Sequence, residues 1–146
     1  MAQILVIDDN QPLRRLLQIT LEAEGHTVLL AADGAEGLRL ARQQGADLVL
    51  CDLIMPVLDG LQAIRELRRE FPALPVLAIT GGVAHGSLDL IATARLLGAE
   101  RVIRKPFLLP DLLAVVQLTL DRSGPQSGST AGSVFPGLPL SPSPRP

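Results

Sequence analysis

The sequence contains no tryptophan and no tyrosine, and aromatic residues make up only 2% of it. Its core must therefore be built from leucine, isoleucine, valine and alanine, which suit helices packed against a sheet. The chain has one cysteine, Cys51, so an internal disulfide is excluded. No cysteine and histidine cluster has the spacing of a zinc site. This cysteine usage favours a reducing compartment.

Long runs of basic residues are also absent, and the formal net charge is -2. Proteins that bind nucleic acid or anionic membranes present clustered lysine and arginine, so we expect no direct nucleic-acid binding and no membrane attachment. No segment approaches the roughly 20 apolar residues that span a bilayer, and the amino terminus lacks the basic flank of a signal peptide. The sequence predicts a cytoplasmic protein.

Two kinds of apolar segment alternate as far as about residue 122. Short continuous runs, which are typical of parallel strands buried on both faces, lie at 4–7, 27–31, 47–51, 75–79 and 101–103. Longer segments with a 3.6-residue period predict helices at 35–42, 61–70, 88–97 and 109–121, besides a first helix that ends at Gly25. The inner face of that first helix is predicted to carry Leu13, Leu16, Leu17 and Leu21.

This strict alternation predicts an α/β fold, a doubly wound parallel sheet of five strands in the order 2-1-3-4-5 with five helices. We expect one folded domain over residues 1–122. The remainder, 123–146, is dominated by serine, glycine and proline, a composition that predicts a disordered tail. A short apolar docking motif in it is a less favoured interpretation, resting on Val134, Phe135, Leu138 and Leu140.

Carboxylates follow two strands that are neighbours in the predicted sheet. Asp8 and Asp9 end the first strand and Asp52 ends the third, so all three meet at the edge where doubly wound sheets bind ligands. Two unit charges 4 Å apart repel by about 4 kcal/mol at an effective dielectric of 20, so a cation or a proton has to relieve the cluster. Oxygen ligands too few for a complete cage favour Mg²⁺, which retains several waters.

The alternative for the residues after the first strand is helix capping. Asp9 or Asn10 could cap the following helix, and for either residue alone the two interpretations have equal weight. Asp52 differs, because Pro56 pushes the chain after it toward extended conformations, and we expect the next helix to be capped later, at Asp59.

Two further polar residues lie at the same predicted edge. Thr80 ends the fourth strand, and Lys105 follows the fifth. Either residue alone is more simply explained as a strand residue or a solvated surface residue. Together, a hydroxyl, an amine and three carboxylates make a site for a tetrahedral anion with its own metal.

Over about residues 3–121 the sequence resembles the receiver domains of two-component response regulators. The resemblance rests on the paired acids in VIDDN, the central acid in DLIMPVLDG, the threonine in AIT and the Lys-Pro-Phe in IRKPF, all in this order. It implies a flavodoxin-like fold and a phosphorylation-dependent signalling switch in a phosphorelay, with Mg²⁺ as cofactor.

The resemblance also assigns the metal and phosphoryl-acceptor residues. Asp52 would accept the phosphoryl group as an aspartyl phosphate. Asp9, Asp52 and the backbone carbonyl of Ile54 would hold Mg²⁺, and Asp8 would act largely through water.

The switch residues follow from the resemblance in the same way. Lys105 would contact the phosphoryl oxygens, Thr80 would bind one of them on activation, and the peptide bond between Lys105 and Pro106 would be cis. Val102 departs from the family, because many receivers have an aromatic residue at this position. The usual aromatic lever of the switch is therefore missing.

The resemblance implies a sensor histidine kinase or a phosphotransfer protein as the phosphoryl donor. The output, a downstream protein or a second copy of the chain, would bind the surface formed by the fourth helix, fifth strand and fifth helix. That surface carries Arg95, Arg101 and Arg104, which could equally be solvated surface residues. The implied chemistry is self-catalysed phosphoryl acceptance and slow autodephosphorylation, with no other enzymatic activity.

Two other functions compete with this one. An interaction module that binds partners regardless of phosphate is consistent with Val102. A flavin-binding protein would need hydrogen-bond donors after the first strand, where this chain has DDNQP, and haloacid-dehalogenase-like phosphatases have a second acid where this chain has Ile54. The sequence is compatible with a stand-alone receiver and with a receiver from a longer protein.

Overall fold

A computed structural model of the protein describes residues 1–53, 60–81 and 87–123. Strands and helices alternate along these residues. The elements are β1 (Gln3–Ile7), α1 (Gln11–Ala23), β2 (Thr27–Ala31), α2 (Gly34–Gln44), β3 (Leu48–Asp52), α3 (Gly60–Glu70), β4 (Val76–Thr80), α4 (Ser87–Leu97), β5 (Arg101–Arg104) and α5 (Leu109–Ser123). The predicted tail over 123–146 and the predicted cap at Asp59 lie outside the described residues, apart from the end of α5.

The strands form one parallel sheet in the order β2-β1-β3-β4-β5, which confirms the predicted fold class and strand order. Ile7 pairs with Cys51, Asp52 pairs with Ile79, and Thr80 pairs with Arg104. The carboxyl ends of β1, β3, β4 and β5 are therefore aligned at one edge of the sheet.

Helices cover both faces of the sheet, because successive strand residues point to opposite sides. Leu5 and Ile7 pack in a core with α2, α3 and α4. Ile4 and Val6 pack on the other side, in a core with Leu17 of α1 and with α5. Both cores consist mainly of leucine, isoleucine, valine and alanine, as the scarcity of aromatic residues requires.

The prediction for Leu16 is wrong. Its side chain is 43% exposed, whereas Leu17 and Leu21 are fully buried and Leu13 is half-buried. Leu17 and Leu21 define the centre of the buried face, and Leu16 lies about 100° around the helix from Leu17. An apolar residue at the margin of such a face can point to solvent.

Two strands begin one residue later than predicted. The Asp47 carboxylate accepts a hydrogen bond from the Gln3 N–H at 2.8 Å, so Asp47 lies at the amino edge of the sheet instead of opening β3. Pro75 has no N–H to donate, and its carbonyl accepts the Val49 N–H at 3.0 Å. Asp52 and Thr80 are the last residues of these two strands, as predicted.

The start of α1 answers the question of helix capping. The Asn10 side chain accepts a hydrogen bond from the Leu13 N–H at 3.0 Å, so Asn10 is the N-cap residue. Asp9 does not have this role, which leaves its carboxylate for the site.

Among the helices in the described ranges, none combines the length and the apolar character that a bilayer crossing requires.

Candidate functional site

Three carboxylates meet at the carboxyl edge of the sheet. Asp8 and Asp9 directly follow β1, and Asp52 ends the neighbouring strand β3. One oxygen of each residue lies within 4.8 Å of the others. Asp8 and Asp52 are buried, with 1% and 5% of their surface exposed, and Asp9 is exposed. The structure thus brings together the three acids that the sequence predicted to cluster.

Asp8 is held at every polar atom except one. Its N–H donates to the Ala31 carbonyl at 3.0 Å, its Oδ1 accepts the Asn10 N–H at 2.8 Å, and its backbone carbonyl accepts from Arg14 Nη1 at 2.7 Å. Within the described residues, no hydrogen-bond donor reaches its buried Oδ2. Buried polar atoms in native proteins rarely lack a donor, so this oxygen marks a place for a ligand.

The charge of Asp8 is unfavourable in these surroundings. Burial raises the pKa of the Asp8 carboxyl, and the N–H of Asn10 and the ammonium group of Lys105 oppose this only in part. A divalent cation would remove the penalty without protonating the carboxyl. Carboxylate oxygens are the ligands that Mg²⁺ prefers, so Asp8, Asp9 and Asp52 fit a magnesium ion.

Lys105 brings a positive charge to the same place. Its Nζ lies 3.9 Å from Asp8 Oδ2 and 3.9 Å from Asp52 Oδ1, and its own N–H donates to the Thr80 carbonyl at 2.8 Å. The Lys105–Pro106 peptide bond is cis, as the resemblance implied. The lysine therefore faces the acids from the end of β5.

Thr80 is buried at the end of β4, one residue beyond Ile79, the partner of Asp52 in the sheet. Val102 is half-buried on β5, pairs with Ala78, and packs against the core on the α2, α3 and α4 side. Ile54, whose carbonyl was predicted as a metal ligand, lies outside the described residues, so that role stays a prediction.

Two residues at the site, Gly60 and Arg14, were not predicted from the sequence. Gly60, the first residue of α3, donates its N–H to the Leu53 carbonyl at 3.0 Å, and a Cβ here would overlap the Asp52 carbonyl oxygen. Arg14 reaches back from α1 to the end of β1. A glycine at the start of a helix signals such close packing, whereas nothing in the helical period distinguishes Arg14 from Arg15.

Comparisons with known proteins agree with this geometry. Residues 4–117 match the family described as response regulator receiver domain. Response regulator MprA of Mycolicibacterium vanbaalenii is 37% identical over 143 residues, which are 97% of this chain and 61% of MprA. The transcriptional regulatory protein YkoG of Bacillus subtilis is 36% identical over 123 residues, 84% of this chain and 53% of YkoG.

Solved structures give the same result. A response regulator receiver domain protein from Clostridium thermocellum has 35% identity and a TM-score of 0.77, over 84% of this chain and 96% of the other. A CheY-like receiver domain protein from Methanospirillum hungatei has 27% identity and a TM-score of 0.79, with the same coverage. The chain spans little more than half the length of the two curated relatives, but almost the whole of these receiver structures. The chain therefore belongs to the response regulator receiver domains, the signalling domains of two-component systems.

Proposed function

We propose that Asp52 accepts a phosphoryl group in a Mg²⁺-dependent reaction, and that this modification switches the binding of partner proteins. One observation carries the proposal. The carboxylates of Asp8, Asp9 and Asp52 converge within 4.8 Å, and Lys105 Nζ lies 3.9 Å from Asp52 Oδ1.

The choice of Asp52 as acceptor rests on what surrounds each acid. Asp8 Oδ1 already accepts the Asn10 N–H, and its Oδ2 is enclosed, so attack by this residue would break a local hydrogen bond. Lys105 Nζ lies 3.9 Å from both acids, but the Asp52 side chain keeps 7% of its surface exposed against 1% for Asp8, so Asp52 is the more accessible to an incoming phosphoryl group. A carboxylate is an established nucleophile for phosphoryl transfer.

The step forms a bond between a carboxylate oxygen of Asp52 and phosphorus while the bond from phosphorus to the donor breaks, its electron pair leaving with the donor. Such transfer depends on positioning and charge neutralisation more than on covalent help. Bound Mg²⁺ would supply neutralisation of the acidic cluster. Asp8, Asp9 and Asp52 would hold the ion, and Lys105 would contact the phosphoryl oxygens.

Switching requires a contact that exists only after phosphorylation. Thr80 and Lys105 lie at the ends of neighbouring strands, and the Lys105 N–H is bonded to the Thr80 carbonyl. A hydrogen bond from the Thr80 hydroxyl to the new phosphoryl group would bias this pair of strand ends toward one conformation. The surface of α4, β5 and α5 would read the change.

Receiver domains pair with histidine kinases and with downstream effectors. For this chain we propose a phosphohistidine of a sensor histidine kinase or phosphotransfer protein as donor, and a protein or a second copy as output partner, in the cytoplasm. Arg95 and Arg104 are exposed and Arg101 is half-buried on the proposed output surface. The chemistry of the chain on this proposal is limited to its own phosphorylation and slow dephosphorylation.

The test is phosphorylation by acetyl phosphate, followed by mass spectrometry of the intact protein. We expect the mass of one phosphoryl group to be added with Mg²⁺, and no addition with EDTA or in Asp52→Asn. Asp111→Asn is the matched control, because Asp111 is exposed in the first turn of α5. Full phosphorylation of Asp52→Asn, or none of the unaltered chain, would refute the proposal.

A phosphorylation-independent interaction module is the second candidate, favoured by the absence of an aromatic ring at Val102. Partner binding with and without beryllofluoride, a phosphoryl mimic, separates the two. Equal affinity in both conditions, and in Asp52→Asn, would support the second candidate. A change of affinity in the unaltered chain alone would support the switch.

A further inference from the structure

The first turn of α1 contains an arginine, Arg14, whose side chain forms a hydrogen bond outside the helix. Arg14 Nη1 donates to the backbone carbonyl of Asp8 at 2.7 Å, and the bond is partly buried. The N–H of Arg14 meanwhile makes the ordinary helical bond to the Asn10 carbonyl at 2.9 Å. The guanidinium therefore joins α1 to the end of β1.

This bond occupies a carbonyl that the sheet does not use. Pairing of β1 with β3 ends at Ile7 and Cys51, so the Asp8 carbonyl lies beyond the ladder. A carbonyl near the interior needs a donor, and because Arg14 follows Asp8 by six positions, the first turn of α1 can supply one. The capping of α1 does not need Arg14, because Asn10 already caps the helix.

The consequence concerns the direction of the Asp8 carboxylate. With its N–H bonded to Ala31, its carbonyl to Arg14 and its Oδ1 to the Asn10 N–H, the residue has little freedom to rotate. Its Oδ2 is left 3.9 Å from Lys105 Nζ, and one of its carboxylate oxygens lies within 4.8 Å of oxygens of Asp9 and Asp52. A ligand held in advance loses less entropy when the ion binds.

From this geometry we propose that Arg14 is a positioning residue of the metal site: it fixes the backbone of Asp8 and so orients the Asp8 carboxylate toward Mg²⁺. The inference rests on the proposed Mg²⁺ site and adds to it a residue that does not itself contact the ion. Partners behind metal ligands typically change metal affinity by about tenfold or more.

Two effects of removing Arg14 have opposite signs, which makes the test decisive. Arg14 carries a positive charge near the Asp8 carboxylate, so its loss would strengthen Mg²⁺ binding if only charge mattered. Loss of orientation would weaken binding. We expect Arg14→Gln to bind Mg²⁺ about tenfold more weakly in calorimetric titration.

Arg15→Gln is the matched control, because Arg15 is adjacent on α1, exposed, and has the same charge. It is expected to bind Mg²⁺ as tightly as the unaltered chain or slightly more tightly. Arg14→Lys, which keeps a donor, is expected to recover part of the affinity. Affinity of Arg14→Gln equal to or above that of the unaltered chain would overturn the inference.

A measurement on the unaltered chain covers the case in which Arg14→Gln does not fold. The guanidinium NMR signals of Arg14 are expected to be resolved by slow rotation, while those of Arg15 are averaged. Equal mobility of the two guanidinium groups would overturn the inference. Absence of Mg²⁺ binding in both the unaltered chain and Arg15→Gln would instead refute the proposed function.

Discussion

Asp9 is exposed, yet it adds a third negative charge to two buried carboxylates. In the metal-free protein this repulsion destabilises the fold, and Lys105 at 3.9 Å offsets it only in part. We expect Asp9→Asn to raise the free energy of unfolding without Mg²⁺ by about 1 kcal/mol, allowing for solvent screening. Thermal unfolding in EDTA measures this as a melting temperature higher by about 4 °C.

The Asp9→Asn variant should also gain less thermal stability from Mg²⁺ than the unaltered chain does. A ligand that binds only the native state stabilises it in proportion to its affinity, so Mg²⁺ is expected to raise the melting temperature of the unaltered chain more than that of Asp9→Asn. Glu100→Gln, which removes an exposed charge elsewhere, should change neither value. A lower melting temperature of Asp9→Asn in EDTA would contradict the repulsion argument.

Gly60 gives a steric prediction at the same scale. A Cβ there would overlap the Asp52 carbonyl oxygen and Leu53 Cα, which are backbone atoms that cannot rotate away. We expect Gly60→Ala to lower the free energy of unfolding by about 1–3 kcal/mol and to slow phosphorylation by acetyl phosphate. Denaturant unfolding and intact mass measure the two effects.

Gly81→Ala is the control for this substitution, because no atom of the described residues lies within 4 Å of a Cβ placed at Gly81. It lies next to Thr80 and so tests whether any added methyl near the site is harmful. Equal stability of Gly60→Ala and the unaltered chain would show that α3 can move away from the end of β3.

Residues of the site differed in how far the sequence could predict them. Asp8, Asp9, Asp52 and Lys105 lie at the end of a strand or within two residues after it, so their convergence follows from strand order. Arg14 and Gly60 act through backbone atoms of other elements, at distances that depend on how closely the element ends pack. Hydrophobic period carries no information about such contacts.

At the scale of elements, one side chain forms hydrogen bonds to the residues that follow both α3 and α4. The Arg68 guanidinium donates to the Pro72 carbonyl after α3 and, at 2.8 Å, to the Gly98 carbonyl after α4. Carbonyls at helix ends lack helical donors. We expect Arg68→Ala to lower the free energy of unfolding by about 1–2 kcal/mol, measured by urea denaturation.

Arg65→Ala serves as the comparison, because Arg65 is exposed on the same helix. It is expected to unfold within about 0.5 kcal/mol of the unaltered chain. If both variants are equally stable, the Arg68 hydrogen bonds make no net contribution to the free energy of unfolding.

Elements with strong patterns were predicted well, and their ends less well. Continuous apolar runs indicated all five strands, but the predicted start of β3 and of β4 was one residue early, since Asp47 and Pro75 have roles at the edge that a run of apolar residues does not reveal. The period of α1 was correct, while the exposure of Leu16 depends on how broad a surface the sheet offers that helix.

For the whole molecule, doubly wound topology was predictable because buried parallel strands and crossover handedness leave few arrangements. The pH dependence of stability could not be predicted from the sequence, because it depends on tertiary contacts.

One such contact involves His26. Partial burial lowers the pKa of His26, whose Nδ1 accepts the Ala2 N–H at 3.2 Å. The neutral imidazole is therefore preferred in the fold.

The sign follows from linkage. As the pH falls below about 6.5, the value for an unfolded chain, the unfolded state takes up a proton at His26 before the native state does, so stability falls until the lowered native pKa is passed. Asp8 works in the opposite direction, because its raised pKa makes protonation favour the fold. His26→Gln isolates the histidine contribution.

We expect the difference in melting temperature between pH 7.5 and pH 5.5, set about one unit on either side of 6.5, to be shifted in His26→Gln toward greater stability at the lower pH. His85→Gln controls for the loss of an imidazole as such. Identical pH profiles of the melting temperature for His26→Gln and the unaltered chain would show that His26 does not contribute to the pH dependence of stability.

The only thiol of the chain stands next to Asp52. Cys51 has no exposed surface, and its Sγ lies 3.4 Å from the Asp52 carbonyl and 4.0 Å from that of Gly60. We therefore expect an alkylating reagent to reach this sulfur only while α3 is separated from β3. The rate of its modification would therefore measure how often the region around Asp52 opens in the otherwise native molecule.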